Sequence, residues 1–551
     1  MKTTSLAIRS TVLALLLAAG CSEGGSSKAA PGNLPPSGED TSGGPQGSAP
    51  GPGLPGNNGA GGQSSQGTGG STGAAGGAGG SAPGSFGNVG VSGAQDFGAF
   101  RKALDDGRIP PRDTIDAAGF FAEHFTALPP STCGKSFCLH GMLSVSQDLA
   151  RGGPLTLLQM GMNSTIDPAT VQKPPLNLSV VLDHSGSMAA AGKMDFAKEG
   201  VKLLIDALAP GDTFTLVVFD DQVQTVFGPA HVTDKEGLKG KVGEIQPAGG
   251  TNIYDGLEAG YKAVTVTPNE NEQRRVIFLT DGLPTVGKTD AGAIRTMSVG
   301  YNQKYVGLTT IGLGGDVNVA LLRGLAESGG GNFYFVEKPA AVKEVFTEEL
   351  AFFVAPIAYD LELTFTQLPN YSLKAVHGTA LWQPVMGGGK VNVPSVFLVS
   401  RTSTMPGPNG GRRGGGSAIM AELAHALGAV PPGPEPVGKL TLKYRIPGHT
   451  EFETQEAEVT YTNPAGPAPE VPDFYSDKAI EKNTLILNFF FAFRDATTYA
   501  PTDSKRALDG LTAFQSRMQP RLKEWTDEDL QDDLKLLQRF IDVLKGAGPR
   551  L

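Results

Sequence analysis

Leu176-Asn177-Leu178-Ser179-Val180-Val181-Leu182-Asp183-His184-Ser185-Gly186-Ser187 is a short apolar run that ends on an acid and a small polar turn. An apolar run of this length, closed by turn residues, reads as a strand buried on both faces. The residues after it, 194–208, have the spacing of an amphipathic helix, which would cover one of those faces. The pattern continues along the chain. Residues 213–219 and 222–227 read as strands joined only by Asp220-Asp221, and so short a link forces an antiparallel pair. Then come a helix at 253–264, a strand at 275–280, a helix at 291–303, a strand at 306–313, a helix at 319–327, a strand at 332–336 and a helix at 340–353. Alternation of this kind predicts an α/β, doubly wound sheet, mostly parallel and covered by helices on both sides.

An open sheet of this class binds ligands outside the carboxyl ends of its strands, where the chain leaves neighbouring strands in opposite directions. Asp183 ends the first strand, Gly249-Gly250-Thr251 opens a helix, and Asp281 ends the strand Val276-Ile277-Phe278-Leu279-Thr280. Two carboxylates and the hydroxyls of Ser185, Ser187 and Thr251 are hard oxygen donors. They suit a divalent cation, Mg²⁺ first, with Mn²⁺ or Ca²⁺ as alternatives. Two carboxylates leave such an ion incompletely coordinated by protein charge, so a partner's carboxylate has a position to take.

These residues resemble a known family. Asp183-x-Ser185-x-Ser187, Thr251 and Asp281 match the metal-ion-dependent adhesion site of von Willebrand factor A domains, with all five positions filled in order. A lone Asp-x-Ser-x-Ser is a weak signal, and five matches on the expected elements are a strong one. The segments Phe100-Arg101-Lys102, Pro110-Pro111-Arg112-Asp113 and Phe120-Phe121 are similar to the region before this domain in bacterial YfbK-like proteins. So are residues 306–314 and Gly331-Asn332-Phe333-Tyr334. The resemblance implies architecture more than activity; the leading reading of the site is a binding module, not an enzyme, that grips an acidic group on a protein partner through its metal. One rival is a metal-independent envelope scaffold. Another is a metal-dependent hydrolase, which needs a general base near the ion. His184 is the only histidine in the motif, and it stands at a variable position. From residue 95 onward neither Gly-x-Ser-x-Gly nor His-Glu-x-x-His occurs.

The N-terminus reads as an export signal. Lys2 and Arg9 precede a short apolar stretch, too short to remain as a membrane span. Leu17-Ala18-Ala19-Gly20-Cys21 looks like a bacterial lipoprotein processing site, with Ala18 where such sites usually carry Leu, so Cys21 is expected to be lipidated. Ser22 is not the Asp of inner-membrane retention, which favours the outer membrane of the cell envelope. The formal net charge of −10 argues against nucleic acid, whose binders need a basic face. Of the 3 cysteines in the chain, Cys133 and Cys138 remain. A zinc site would need two more ligands, and only His140 is near, so the pair reads as a disulfide in an exported chain.

The expected organisation is a lipoprotein signal peptide at 1–20, a disordered Gly/Ser/Pro-rich tether at 21–94, and an N-terminal flanking segment at 95–174. The von Willebrand factor A (VWA) domain follows at 175–355, a β-rich domain at 356–472 and a C-terminal helical segment at 473–551. The tether lacks residues to bury a core, and about 70 such residues reach roughly 45 Å. Residues 97–104 and 115–128 read as short helices, and 139–162 as two strands around a turn. Neither flank of the α/β region has an obvious core of its own. The two flanks are therefore expected to share one β-domain into which the α/β region is inserted.

Overall fold

The computed structural model describes residues 87–546, apart from 91–92, 95–96, 167–173, 267–271, 316, 337–344, 347–355, 400–417, 429, 431–433 and 463–472. The signal segment, Cys21, most of the tether and most of the helix expected at 340–353 lie outside the described residues.

In chain order, β1 (Gly87–Gly90) and β2 (Gly93–Ala94) come first, followed by α1 (Gly98–Asp105), α2 (Ala117–Ala122), β3 (Phe137–Gln147) and β4 (Pro154–Ser164). The α/β region holds β5 (Leu176–Asp183), α3 (Lys193–Ala207), β6 (Thr213–Phe219), β7 (Val223–His231), α4 (Lys235–Glu244) and α5 (Ile253–Ala263). It continues with β8 (Gln273–Thr280), α6 (Ala291–Asn302), β9 (Val306–Leu313), α7 (Val319–Ser328) and β10 (Asn332–Val336). Next are β11 (Ala358–Gln367), β12 (Tyr371–His377), β13 (Trp382–Val385), β14 (Gly388–Val399), β15 (Ile419–His425), β16 (Glu435–Arg445), β17 (Phe452–Tyr461) and β18 (Phe474–Tyr475). The chain ends in α8 (Lys478–Tyr499), α9 (Ser504–Arg521) and α10 (Glu528–Gly546).

Among the described residues the α/β sheet has seven strands in the order β2-β10-β9-β8-β5-β6-β7. It is parallel except for β7, which runs antiparallel to β6 as the Asp220-Asp221 link requires. The apolar run of β5 serves both faces because side chains alternate along a strand. Val180 and Leu182 pack with Val201 and Ile205 of α3 and Leu238 of α4. Val181 packs with Leu257 and Tyr261 of α5, Ile294 of α6 and Leu322 of α7. Side-chain caps start these helices: Asp234, Asn252, Asp290 and Asn318 each accept a backbone N–H of the first turn. Helix α4 has only two buried apolar residues, Leu238 and Val242, one turn apart. That is too faint a period to read from sequence.

The second sheet has eleven strands, with the path β12-β15-β4-β1-β14-β11-β16-β17. β4 pairs with β15, and β1 joins β4 to β14. The two flanks of the α/β region thus meet in one sheet, as expected from their lack of separate cores.

Two expectations need correction. The tether does not run to residue 94, because residues 87–90 and 93–94 form strands. β1 lies inside the larger sheet, and β2 adds to the edge of the smaller one, parallel to β10. Strand pairing is made by backbone groups, so a stretch without core-forming side chains can still be bound into a sheet. The helix expected at 115–128 is shorter, ending at Ala122. The C-terminal helical segment packs against the N-terminal flanking segment. Phe97, Phe100 and Phe120 share one core with Phe490 and Phe493 of α8 and Phe540 of α10. The same contact carries polar links. His124 Nε2 lies 2.6 Å from Asp533 Oδ2, and Lys482 Nζ donates to the Phe125 carbonyl at 2.6 Å. A disulfide joins Cys133 and Cys138 just before and within the start of β3, with Cα atoms 5.6 Å apart.

Candidate metal centre

β5 and β8 are neighbours in parallel register, Leu182 beside Leu279. Their ends therefore bring Asp183 and Asp281 to one edge of the sheet. Both carboxylates are buried. Asp183 Oδ1 accepts the backbone N–H of Ser185 at 2.8 Å, which folds the loop tightly around the acid. Asp183 Oδ2 accepts the hydroxyl of Thr280 at 2.5 Å. The hydroxyls of Ser185 and Ser187 are 3.2 Å apart, and Ser187 Oγ donates to Asp281 Oδ1 at 2.8 Å.

Thr251 reaches the same place by loop-to-loop bonds. Gly186 N–H donates to the Gly249 carbonyl at 3.1 Å, and Ala248 N–H to the His184 carbonyl at 2.7 Å. These two bonds tie the loop after β5 to the loop before α5. Gly249 takes a φ of +66°, a conformation that glycine adopts without steric cost. Thr251 N–H donates to Thr285 Oγ1 at 2.9 Å, and Thr285 N–H returns to the Thr251 carbonyl at 3.0 Å. A Cβ built on Gly282 would lie 3.8 Å from Thr251 Oγ1, so that hydroxyl faces the residue after Asp281.

Asp183, Ser185, Ser187 and Asp281 are thus one connected cluster, with Thr251 beside it. His184 does not join them: its Nδ1 lies 3.0 Å from the Gln246 carbonyl, which holds the ring over the loop before α5. Two contributors were not singled out in the sequence. Thr280 bonds directly to Asp183. Lys193, only 4% exposed, donates from Nζ to Asp281 Oδ2 at 2.7 Å. The signal for Lys193 was its place at the first position of α3, a charged residue on the inward side of a helix start.

The donor set fits a divalent cation. Every side-chain donor of the five is oxygen, and the hydroxyls of Ser185 and Ser187 sit within hydrogen-bond distance of one another or of a carboxylate. Among the described residues no three His, Cys, Asp or Glu side chains gather as a metal cluster. This site has two carboxylates and draws its other donors from hydroxyls, as hard dications accept. Burial pushes the Asp183 carboxyl up to about 6, against the hydrogen bonds from Thr280 and Ser185 that pull it down. A cation at the site would favour the ionised form of that carboxyl.

A family model described as "von Willebrand factor type A domain" matches residues 178–283, from the start of β5 to just past Asp281. The chain is 24% identical over 197 residues to the protein YfbK of Escherichia coli (strain K12), a match that covers 36% of this chain and 34% of YfbK. It is 30% identical over 208 residues to inter-alpha-trypsin inhibitor heavy chain H4 of Homo sapiens, covering 35% of this chain and 22% of that protein. The match therefore spans about a third or less of the length of these two relatives. Among solved structures, "von Willebrand factor type A from Catenulispora acidiphila" aligns over 73% of this chain and 89% of that one, at a TM-score of 0.46 and 18% identity.

Proposed function

We propose, on the premise that this chain is a von Willebrand factor type A domain protein of the YfbK-like family, that it is a protein-binding module working through a divalent cation. Asp183, Ser185, Ser187, Thr251 and Asp281 would hold the ion, with the two carboxylates as electrostatic anchors. The bound ion would supply a Lewis-acidic position for a carboxylate of the partner protein. The observation that carries this proposal is the cluster itself: distant residues meet as an all-oxygen set at the carboxyl edge of a parallel sheet.

The test is thermal unfolding of the full chain in EDTA and then in excess Mg²⁺ or Mn²⁺, with Asp183→Ala alongside. A ligand that binds only the folded state stabilises it, by about 2.7 kcal/mol at 100 times its dissociation constant. The parent should shift in the transition of the α/β region and the variant should not. Equal melting throughout, with no metal uptake by calorimetry, would remove the metal from the proposal.

A second proposal, a metal-independent scaffold, has one observation in its favour. Lys193 already supplies a cation to Asp281, so the carboxyl edge has a charge partner of its own. Partner capture that survives EDTA would select it.

We also propose that the protein is exported and held at the cell envelope, in the outer membrane, by lipid on Cys21. The motivation is the short apolar signal followed by Ala19-Gly20-Cys21. Cell fractionation of Cys21→Ala checks this: the variant should leave the membrane fraction, and its retention there would count against the anchor.

A further inference from the structure

Among the described residues eight large apolar side chains stand well exposed, and four of them gather at one end of the larger sheet: Leu368, Val385, Met386 and Leu427. They belong to three turns at neighbouring strand ends. Leu368 lies between β11 and β12, Val385 and Met386 lie where β13 turns into β14, and Leu427 lies just past β15. Backbone bonds hold the turns side by side. Gln367 N–H donates to the Gly387 carbonyl at 2.9 Å, and Ala426 N–H donates to the Asn370 carbonyl at 2.8 Å. Single exposed apolar residues are ordinary on a protein surface, whereas a gathering of them marks a contact site.

The gathered side chains project at turn tips. Met386 is fully exposed and Leu427 is 78% exposed, with Val385 at 48% and Leu368 at 36%. The turns are also without charge: residues 367–371, 384–388 and 426–428 contain no Asp, Glu, Lys or Arg. Glu435, which opens β16 at this end, has its carboxylate engaged within the protein. It accepts from Asn370 Nδ2 at 2.6 Å and from the Tyr371 hydroxyl at 3.3 Å, and His425 Nε2 lies 3.2 Å away.

We propose that these turn tips insert into the surface of a lipid bilayer. Size argues for lipid over protein. Four side chains on turns cover far less than the roughly 800 Å² per partner that a stable protein interface buries, a second copy included. A lipid surface moulds itself to separate tips, and binding to it scales with the apolar area inserted. Charge argues the same way. The tips offer nothing for a protein's charges to pair with, and uncharged side chains enter the acyl boundary without the cost of stripping water from an ion. The chain before β1 also permits the contact. β1 meets β14 at Val399, and Met386 lies past the opposite end of that 12-residue strand, roughly 40 Å away. The Gly/Ser/Pro-rich residues 22–86 reach roughly 45 Å, so a chain held at Cys21 would still set this end on the membrane. The affinity of the tips does not rest on that anchor. It would add a second hold to it, and would fix which end of the larger sheet meets the lipid.

The test uses the full chain carrying Cys21→Ser, so that failure of the anchor and failure of the tips are read apart. A further Met386→Cys then supplies the one free thiol, since Cys133 and Cys138 are joined, and takes an environment-sensitive NBD label. Phosphatidylcholine vesicles should raise the label's intensity several-fold and shift it to the blue, equally at low and high salt because no charge is involved. The same label on Val266→Cys, an exposed apolar position in the α/β region, should not respond. Adding Val385→Asp and Leu427→Asp should cut the gain at position 386 roughly tenfold at the same lipid concentration. These positions are exposed, so the fold should tolerate the changes. No gain at 386, an equal gain at 266, or a gain that survives both aspartates would overturn the proposal. A gain that appears without vesicles as protein concentration rises would also overturn it, and would assign the tips to a second copy.

Discussion

Lys193 and Asp281 form a buried ion pair inside what is otherwise an all-oxygen site, and the pair sets up a competition. A lysine ammonium and a divalent cation would both draw on the Asp281 carboxylate. Removing one member of a buried pair typically costs about 3–5 kcal/mol, because the other charge is left in the interior. Lys193→Met should therefore lower the stability of the metal-free protein, while excess Mg²⁺ should recover much of the loss. Its affinity for the metal should rise. Calorimetric titration with Mg²⁺, paired with unfolding in EDTA, reads both effects. A variant that is destabilised yet binds metal no more tightly would mean that the lysine does not oppose the ion. Among the described residues Asp183 bonds to Thr280 and Ser185 and to no lysine. Metal should therefore matter more to its burial than to that of Asp281.

At the scale of elements, the metal loops depend on how closely α5 lies on the sheet, since α5 begins two residues after Thr251. Two glycines set that distance. A Cβ on Gly260 would stand 2.2 Å from Val181 Cγ2, and one on Gly256 would stand 2.6 Å from the Phe219 ring. Alanine is the better helix former by about 1 kcal/mol, which alone would make Gly260→Ala stabilising. The clash decides otherwise. Val181 is wholly buried and β-branched, so it has little freedom to move aside. Overpacking of a tight core costs about 1–3 kcal/mol. Gly260→Ala should be destabilising by up to about 2 kcal/mol in denaturant unfolding. A gain in stability would show that α5 can lift from the sheet at no cost.

The whole molecule is interleaved rather than strung together. The N-terminal strands enter both sheets, α1 and α2 pack against the C-terminal helices, and β3 and β4 share a sheet with strands more than two hundred residues later. β1 is the piece that closes the larger sheet, with Asn88 opposite both Asn163 of β4 and Val399 of β14. A chain beginning at Phe97 would leave those two strands with unpaired backbone edges in the middle of the sheet, and such edges invite pairing with other chains. Compared with a chain beginning at Gly80, it should unfold at lower denaturant and self-associate in light scattering. Equal behaviour of the two would mean that β1 is dispensable.

The candidate site was legible because its signals are local: an acid at a strand end, hydroxyls beside glycines, a second acid at the end of a later strand. Spacing and residue type are enough to place such groups at the carboxyl edge of an α/β sheet. The same holds for the alternation of strands and helices from residue 176 to 336, where burial on two faces imposes unbroken apolar runs. The rest is non-local. The pairing of β1 uses backbone hydrogen bonds and leaves no mark in side-chain chemistry, so residues 87–94 read like the Gly-rich stretch before them. The contact of Lys193 with Asp281 spans 88 positions in the chain. The apolar tips at Leu368, Met386 and Leu427 gather only where three separately encoded turns meet. Sequence alone determined which elements form and which oxygens stand at their ends. Tertiary structure decided what those elements enclose, because packing between distant segments follows from shape and backbone pairing, which no short stretch of sequence carries.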